Sequence, residues 1–262
     1  MMIKEDSITS ARDYVTFISN KNGIDVKCIP RVAIISYSRN ITEHLSRKYA
    51  NGHVNIGLRM DSILNLCSSN GGKNRFCILN GSVGSPIAAI HTEELIALGV
   101  RNILAVGPAG SPVKSPQDGV SLNCSSIFNV SRAYSLGGTT SHYFQRKKYF
   151  YPCKSTFNRI LGVSEELEVD IKPGTTATTD AIYRETPSFI KKVINCGCNL
   201  IDMECAAIFA VAEYRAISSG AILYTTDRVT AENGWHIYIE EHLIQEREAT
   251  VSKIVEKFVD EH

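Results

Sequence analysis

Between Phe76 and Gly110 the chain reads as strand, glycine loop, helix, strand, glycine loop, and few folds accommodate that order. Phe76-Cys77-Ile78-Leu79-Asn80 is a short apolar run leading into the turn Gly81-Ser82-Val83-Gly84-Ser85-Pro86. Ile87, Ile90, Leu95 and Leu98 then recur at helical spacing, which predicts a helix from about Pro86 to Leu98, with Pro86 at a first helical position and Gly99 as a stop. Asn102 to Val106 is a further strand, ending in Gly107-Pro108-Ala109-Gly110. Upstream, Arg31-Val32-Ala33-Ile34-Ile35-Ser36 is continuous and β-branched, as a strand covered on both faces should be. Such alternation implies a sheet with helical crossovers.

The rest of the chain fits around that unit. Ser125 to Val130 reads as a strand, followed by a polar and aromatic segment, Gly137 to Phe144, to which no role is assigned. Asp202 to Tyr214 is a helix with Met203, Ala206, Ala207, Ala210 and Val211 on one side. Ala221 to Tyr224 is a buried strand ending at Thr225-Thr226-Asp227-Arg228. The tail from Tyr238 to Val259 alternates Leu243, Ile244, Val251, Ile254 and Val255 with charges, the pattern of a surface helix. No repeat, low-complexity stretch or linker divides the 262 residues, so one domain over 1–262 is expected, with 1–29 as an N-terminal extension and 238–262 as a C-terminal helix.

Composition removes several function classes. The net charge of +1, with 21% charged and 44% hydrophobic residues, gives no reason to expect nucleic acid or an acidic membrane as partner. Arg146-Lys147-Lys148 beside Tyr149-Phe150-Tyr151 is read as a solvated loop whose aromatics pack inward. No apolar run reaches about 18 residues, so no membrane span is expected. Residues 1–22 lack the apolar stretch of a signal peptide, which predicts a cytoplasmic protein. The eight cysteines are dispersed and read as buried thiols rather than as a disulfide framework. Cys196-Gly197-Cys198 is the one close pair, and no further ligands stand at metal-binding spacing, so no metal is expected.

In open α/β sheets, ligands bind beyond the carboxyl ends of the strands. Gly81 to Pro86, Gly107 to Gly110 and Thr225 to Arg228 meet that condition. Glu204, in Asp202-Met203-Glu204-Cys205-Ala206-Ala207, opens an otherwise apolar helix; it is either a functional acid or one stabilised by the helix dipole. Asp227 directly follows a strand and is either functional or a turn residue.

Four segments, in order, resemble the nucleoside phosphorylase superfamily, which includes uridine phosphorylase, hexameric purine nucleoside phosphorylase and the nucleosidases. They are Gly81-Ser82-Val83-Gly84-Ser85-Pro86 with Glu93-Glu94-Leu95 and Gly99-Val100; Val106-Gly107-Pro108-Ala109-Gly110; Thr178-Thr179-Asp180-Ala181-Ile182-Tyr183-Arg184-Glu185-Thr186; and Asp202 to Ala207 leading to Thr226-Asp227. The last two are closest to a uridine-phosphorylase-like branch. The resemblance implies a three-layer α/β/α single domain around a central mixed β-sheet, acting on a small-molecule nucleoside. It also implies a homo-oligomer built from dimers, with a hexamer among the sizes it admits. No organic cofactor is implied; inorganic phosphate would be a co-substrate.

The resemblance assigns roles as well. Glu204 would accept hydrogen bonds from the ribose 2′- and 3′-hydroxyls, and Met203 would pack against the sugar. The aromatic of the base pocket falls at Ile182, beside Tyr183. Asp227 matches the acid that protonates or hydrogen-bonds the leaving base in purine-specific members, so Asp227 and Glu204 are the expected catalytic groups. Gly84, Gly107 and Arg39 would form the phosphate or water site.

The phosphate ligands are where the pattern breaks. The family's Gly-Asp-Pro turn, with an arginine two residues on, is Ser36-Tyr37-Ser38-Arg39-Asn40-Ile41 here. A second family arginine is replaced by Ala105, and a hydroxyl residue by Pro108. Each lost charge-assisted hydrogen bond removes about 1.5–3 kcal/mol from anion binding. Phosphorolysis through a phosphate site rebuilt with Arg39 or an arginine from a neighbouring subunit is therefore ranked narrowly ahead of hydrolysis, and a nucleoside-binding protein with little catalysis comes third.

Overall fold

The computed structural model describes residues 7–56, 62–113, 127–232, 234–236 and 240–261. Along the chain these form α1 (Ala11–Asn22), β1 (Val32–Ser36), α2 (Arg39–Tyr49), β2 (Ala50–Ile56), β3 (Ser62–Ser69), β4 (Asn74–Asn80), α3 (Ser85–Ala97) and β5 (Asn102–Val113). There follow β6 (Ile127–Ser135), β7 (Tyr149–Phe150), α4 (Lys154–Glu166), β8 (Lys172–Thr178), α5 (Pro187–Asn195) and β9 (Leu200–Asp202). The chain ends with α6 (Cys205–Tyr214), β10 (Ser218–Thr230), β11 (Gly234–His236) and α7 (Glu241–Asp260).

Every residue of β1 is buried, as its unbroken apolar run predicts. It lies between β4 and β5 in parallel register, with Ile34 opposite both Ile78 and Leu104. Alternate side chains serve two separate cores. Ala33, Ile35, Cys77, Leu79 and Ala105 pack with Leu95 of α3 and Ile208 and Phe209 of α6. Val32, Ile34, Phe76, Ile78 and Leu104 pack with Ile41 and Leu45 of α2, Ile160 of α4, and Val251, Ile254 and Phe258 of α7. Each of the valine, leucine, isoleucine and phenylalanine side chains among them contributes about 1.5–3 kcal/mol on full burial. The result is the expected three-layer α/β/α arrangement around a mixed sheet.

The sheet runs β11-β10-β6-β8-β9-β5-β1-β4-β3-β2, with β10 also paired to β5. Consequently β5, β10, β6, β8 and β9 close on themselves: Gly110 pairs with Ile201, and Thr178 with Asp202. The expected loop at Gly107 to Gly110 is not a loop. β5 continues through it to Val113 because β10 runs alongside in parallel and supplies a ladder as far as Thr230. β10 is likewise longer than Ala221 to Tyr224. Its register against β5 slips between Thr225 and Asp227, so Thr226 is extra and Asp227 falls opposite Gly110. Such bulges re-aim a side chain.

α1, within the expected N-terminal extension, buries Val15 in the core shared with α3 and α6. The strand expected from Ser125 begins in the described residues at Ile127 and runs on to Ser135. Residues 125 and 126 lie outside them, as does Cys124; the seven described cysteines are free thiols. Gly137 to Phe144 contains a short 3-10 turn, Thr139–His142, tied down by the Gly138 N–H donating to Asp180 Oδ2 at 2.8 Å. Phe144 and Phe150 pack inward as expected, whereas Tyr151 stays exposed. No described helix is long and apolar enough to cross a membrane.

Candidate active site

At the carboxyl ends of the strands, β9 delivers Asp202, Met203 and Glu204 to the start of α6. Asp202 caps that helix: its Oδ2 accepts from the N–H of Glu204 at 2.9 Å and of Cys205 at 2.6 Å. Its Oδ1 accepts from the hydroxyls of Thr176 at 2.9 Å and Thr178 at 2.7 Å. With Asp202 as cap, Glu204 is free to turn its carboxyl across to the neighbouring loop, where Oε1 accepts from the Gly84 N–H at 2.7 Å. Gly84 holds a positive φ of 109° at the N-terminus of α3, a conformation that favours glycine. Ser85 Oγ donates to the Met203 carbonyl at 2.8 Å and closes the same joint.

Glu204 is buried, and burial first, then the negative charge of Asp202, pushes its carboxyl up to about 8. The N–H groups of Gly84 and Met203 oppose that shift by bonding the charged form.

Tyr37 occupies the space between the glycine segments. A Cβ added to Gly107 would meet Tyr37 Cβ at 2.8 Å, and one added to Gly81 would meet the ring at 2.5 Å. Both positions thus accept only glycine while the ring lies there. The Tyr37 hydroxyl is enclosed and has no hydrogen-bond partner among the described residues. Burial, and then the charges of Glu204, Cys205 and Asp202, hold its pKa well above the usual phenol value, so it stays neutral.

A cavity of about 550 Å³ opens beside this joint. Ile182, Tyr183, Met203 and Asp227 line it together, as expected, and so do Glu185, Gly110 and Trp235. The bulge in β10 points the Asp227 carboxyl over Gly110, where an added Cβ would stand 3.2 Å from Oδ2. Thr226 Oγ1 donates to Asp227 Oδ1 at 2.9 Å, and Trp235 Nε1 donates to Oδ2 at 2.8 Å. Burial and the charge of Asp227 push Glu185 up to about 7. A larger cavity, about 680 Å³, lies between α1 and α3 and includes Asp180 but none of the expected site residues.

The expected residues fall into three groups. Ile182, Tyr183, Met203 and Asp227 share the cavity. Glu204 and Gly84 are bonded to one another beside it, and Gly107 backs onto Tyr37. Arg39 stands apart from both groups: its side chain is 86% exposed and its Nε bonds Glu43 Oε1 at 2.6 Å. It opens α2, where a carboxylate four residues on lies on the same exposed face. Sequence reasoning missed Trp235 and Glu185. Trp235 follows a turn directly after the Asp227 strand, a hairpin signal that would have brought it back beside Asp227 (β11 pairs with β10). Among the described residues no group of three or more histidine, cysteine or acidic side chains could hold a metal.

A three-layer domain with an acidic cavity at a joint between a glycine loop and a helix start is the build of a small-molecule enzyme. The chain belongs to the phosphorylase superfamily, whose family model matches residues 43–260. It is 26% identical over 190 residues to a guanosine phosphorylase of Halorubrum lacusprofundi, covering 67% of this chain and 76% of that one. It is 23% identical over 195 residues to a DeoD-type purine nucleoside phosphorylase of Bacillus cereus, covering 71% and 74%. The fold matches purine nucleoside phosphorylase from Toxoplasma gondii in complex with immucillin-H, with a TM-score of 0.75 and 17% identity over 99% of this chain and 97% of that one. It also matches a futalosine hydrolase mutant of Helicobacter pylori, with a TM-score of 0.69 and 14% identity over 89% and 100%. The chain is thus an enzyme of the phosphorylase superfamily.

Proposed function

We propose that this chain cleaves the N-glycosidic bond of a purine nucleoside with water as the acceptor, releasing free base and ribose. The observation that carries the choice of water is Tyr37, whose neutral ring fills the space between Gly81 and Gly107. The family resemblance puts the phosphate or water site at Gly84, Gly107 and Arg39, and this ring backs onto Gly107. The two positions where the resemblance looks for arginines supply no cation there among the described residues: Ala105 is buried in the sheet, and Arg39 is paired with Glu43 on the surface. A phosphate dianion bound without charge-assisted donors is held weakly. Hydrolysis therefore moves ahead of phosphorolysis, the order opposite to that drawn from sequence.

The remaining groups suit a sugar and a base. Ribose hydroxyls would donate to the Glu204 carboxylate, and Met203 would lie against the sugar face. The base would enter the cavity beside Trp235, whose exposed indole offers a stacking face, with Asp227 at its edge. Positive charge developing on the ribose is favoured by the nearby Glu204 and Asp202. The purine preference follows Asp227 and the names of the two relatives rather than the uridine-phosphorylase-like pattern of the sequence.

Phosphorolysis is kept as a second reading because both of those relatives are named as phosphorylases. The test is product analysis from a panel of purine and pyrimidine nucleosides, with and without inorganic phosphate. Free base plus ribose at a rate indifferent to phosphate is expected. Ribose 1-phosphate formed only with phosphate would overturn the choice of water.

A further inference from the structure

Ile182, Tyr183 and Trp235 are large apolar side chains exposed to solvent, and all three line the cavity that Asp227 faces. Exposed apolar side chains gathered around a cavity mark a place where a ligand docks. Tyr183 is 97% exposed, so nearly all of its ring is open to contact. Trp235 is held at its edge, where Nε1 donates to Asp227 Oδ2 at 2.8 Å, and that tether leaves the faces of its exposed ring to a ligand. Such faces attract cations through the ring quadrupole, tryptophan most strongly.

The charge around these rings has one sign. Glu185, Asp202, Asp227 and Glu232 line the cavity, and its described lining contains no lysine, arginine or histidine. Two of the four carboxyls are committed to the protein itself. Asp202 accepts from two backbone N–H groups and two threonine hydroxyls, and Asp227 accepts from Thr226 and Trp235. The other two, partly buried Glu185 and exposed Glu232, have no hydrogen-bond donor or cation as partner among the described residues. Arg184, exposed on the turn before Glu185, and Arg228, next to Asp227 on β10, stand outside the lining. A partly buried carboxyl without a cation is costly to ionise. Burial first, then the charge of Asp227, pushes Glu185 up to about 7, and a cation brought by a ligand would return it to its charged form. Rings and carboxyls thus favour the same ligand feature by separate physics.

We propose that the nucleoside taken by this chain carries an ammonium arm on its base, bound by the carboxyls of Glu185 and Glu232 and the ring faces of Tyr183 and Trp235. This deepens the glycosidase reading and rests on it. The arm leaves the base from the edge that meets Asp227, because Trp235 is bonded to Asp227 and the Asp227 charge bears on Glu185. An alkylammonium group keeps its charge at neutral pH, as a lysine does. It also offers N–H donors to both unpartnered carboxyls, which a neutral alkyl arm does not. An anionic substituent in the same place meets only like charge and is rejected.

Two adenosine derivatives test this. One has an aminoethyl arm on the exocyclic nitrogen, and the other is the same compound with the amine of the arm acetylated, which removes the charge and keeps the reach. With the wild-type chain, kcat/KM is expected to be about tenfold higher for the free amine, equivalent to about 1.4 kcal/mol. The difference should shrink as ionic strength rises from about 0.01 M to about 1 M, over which the Debye length falls from about 30 Å to about 3 Å. In the double variant Glu185→Gln, Glu232→Gln it should vanish. Trp235 fluorescence gives the affinities of the two corresponding free bases, a readout that needs no cleavage. Equal kcat/KM and equal affinities for the charged and acetylated compounds would overturn the inference and leave the glycosidase reading standing. A preference that persists in the double variant would take the ammonium group away from these carboxyls and overturn it as well. If neither derivative nor adenosine is cleaved, the glycosidase reading falls by itself. Tighter binding of the charged base would then uphold the ammonium site, and equal binding would sink both.

Discussion

Glu248, on α7, accepts a hydrogen bond at 2.6 Å from the hydroxyl of Ser38, the residue that follows Tyr37. The same carboxyl accepts from Asn40 Nδ2 at 2.8 Å and from the Tyr224 hydroxyl at 2.8 Å. Its neighbour Arg247 donates to the Thr225 carbonyl at 2.5 Å, next to the bulge that aims Asp227. One turn of the C-terminal helix thus pins both the segment carrying Tyr37 and the strand carrying Asp227. Glu248→Ala strands buried donors and should cost about 3 kcal/mol of stability, taking about 1–3 kcal/mol for each unsatisfied group. Glu248→Gln, which keeps one good acceptor, should cost less. Denaturant unfolding reads both, and an alanine variant within about 0.5 kcal/mol of wild type, the range of ordinary surface changes, would contradict this pinning role.

The Tyr37 ring and its hydroxyl make separable predictions. The hydroxyl is enclosed and has no partner among the described residues, so Tyr37→Phe should be neutral or slightly stabilising. Tyr37→Ala removes the partly buried ring packed between Gly81 and Gly107 and should cost about 2–3 kcal/mol, less than the about 3–5 kcal/mol for a fully buried aromatic. A phenylalanine variant destabilised as much as the alanine one would show that the hydroxyl, not the ring, holds the two glycine segments together.

Why some of this was legible in the sequence and some was not comes down to the range of the interactions. The β1, β4 and α3 segments were legible because their patterns are local: unbroken apolar runs for buried strands, Pro86 and Gly99 as helix punctuation. Ile182, Tyr183 and Met203 reached one cavity because they follow the ends of β8 and β9, which pair in parallel, whereas Asp227 is brought there by the bulge within β10. The continuation of β5 through Gly107 to Gly110 was hidden, since its cause is the partner strand β10, over a hundred residues away. The direction of Arg39 was hidden for a similar reason: a one-dimensional shift of an arginine gives none, and in the fold it pairs with Glu43 four residues on.

Glu204 gives a pH dependence whose sign is fixed by its raised pKa. Its carboxyl ionises near 4.5 when unfolded and at about 8 when folded. The stability it contributes is fully present below the lower value and is lost as pH rises towards the upper one. Glu204→Gln cannot ionise, so wild type should lose stability relative to the variant between about pH 5 and pH 8 and no further above that. Ribose hydroxyls donating to the carboxylate reverse the preference, so nucleoside binding should release a proton below pH 8. Calorimetric titration in buffers of different ionisation enthalpy reads that proton. Binding without proton release at pH 7 would mean that ribose does not bond to Glu204.

Trp235 is the only tryptophan in the chain, so its fluorescence reports directly on the cavity. The indole is 64% exposed while its Nε1 is tied to Asp227. A base stacking on that ring should quench the emission and shift it to the blue as water leaves the indole face. Asp227→Asn should weaken the tether, because the charge-assisted bond to the carboxylate becomes a neutral one of about half the strength. Trp235→Phe keeps a stacking face but removes the donor. It should cost less than about 1 kcal/mol of stability, since so much of the side chain is already in water. It should nonetheless raise KM about tenfold, the equivalent of about 1.4 kcal/mol of binding lost. The two outcomes together discriminate between roles. Weakened binding in a fully stable variant marks Trp235 as part of the base site, whereas unchanged KM and unchanged emission on adding nucleoside would place the base elsewhere than beside Asp227.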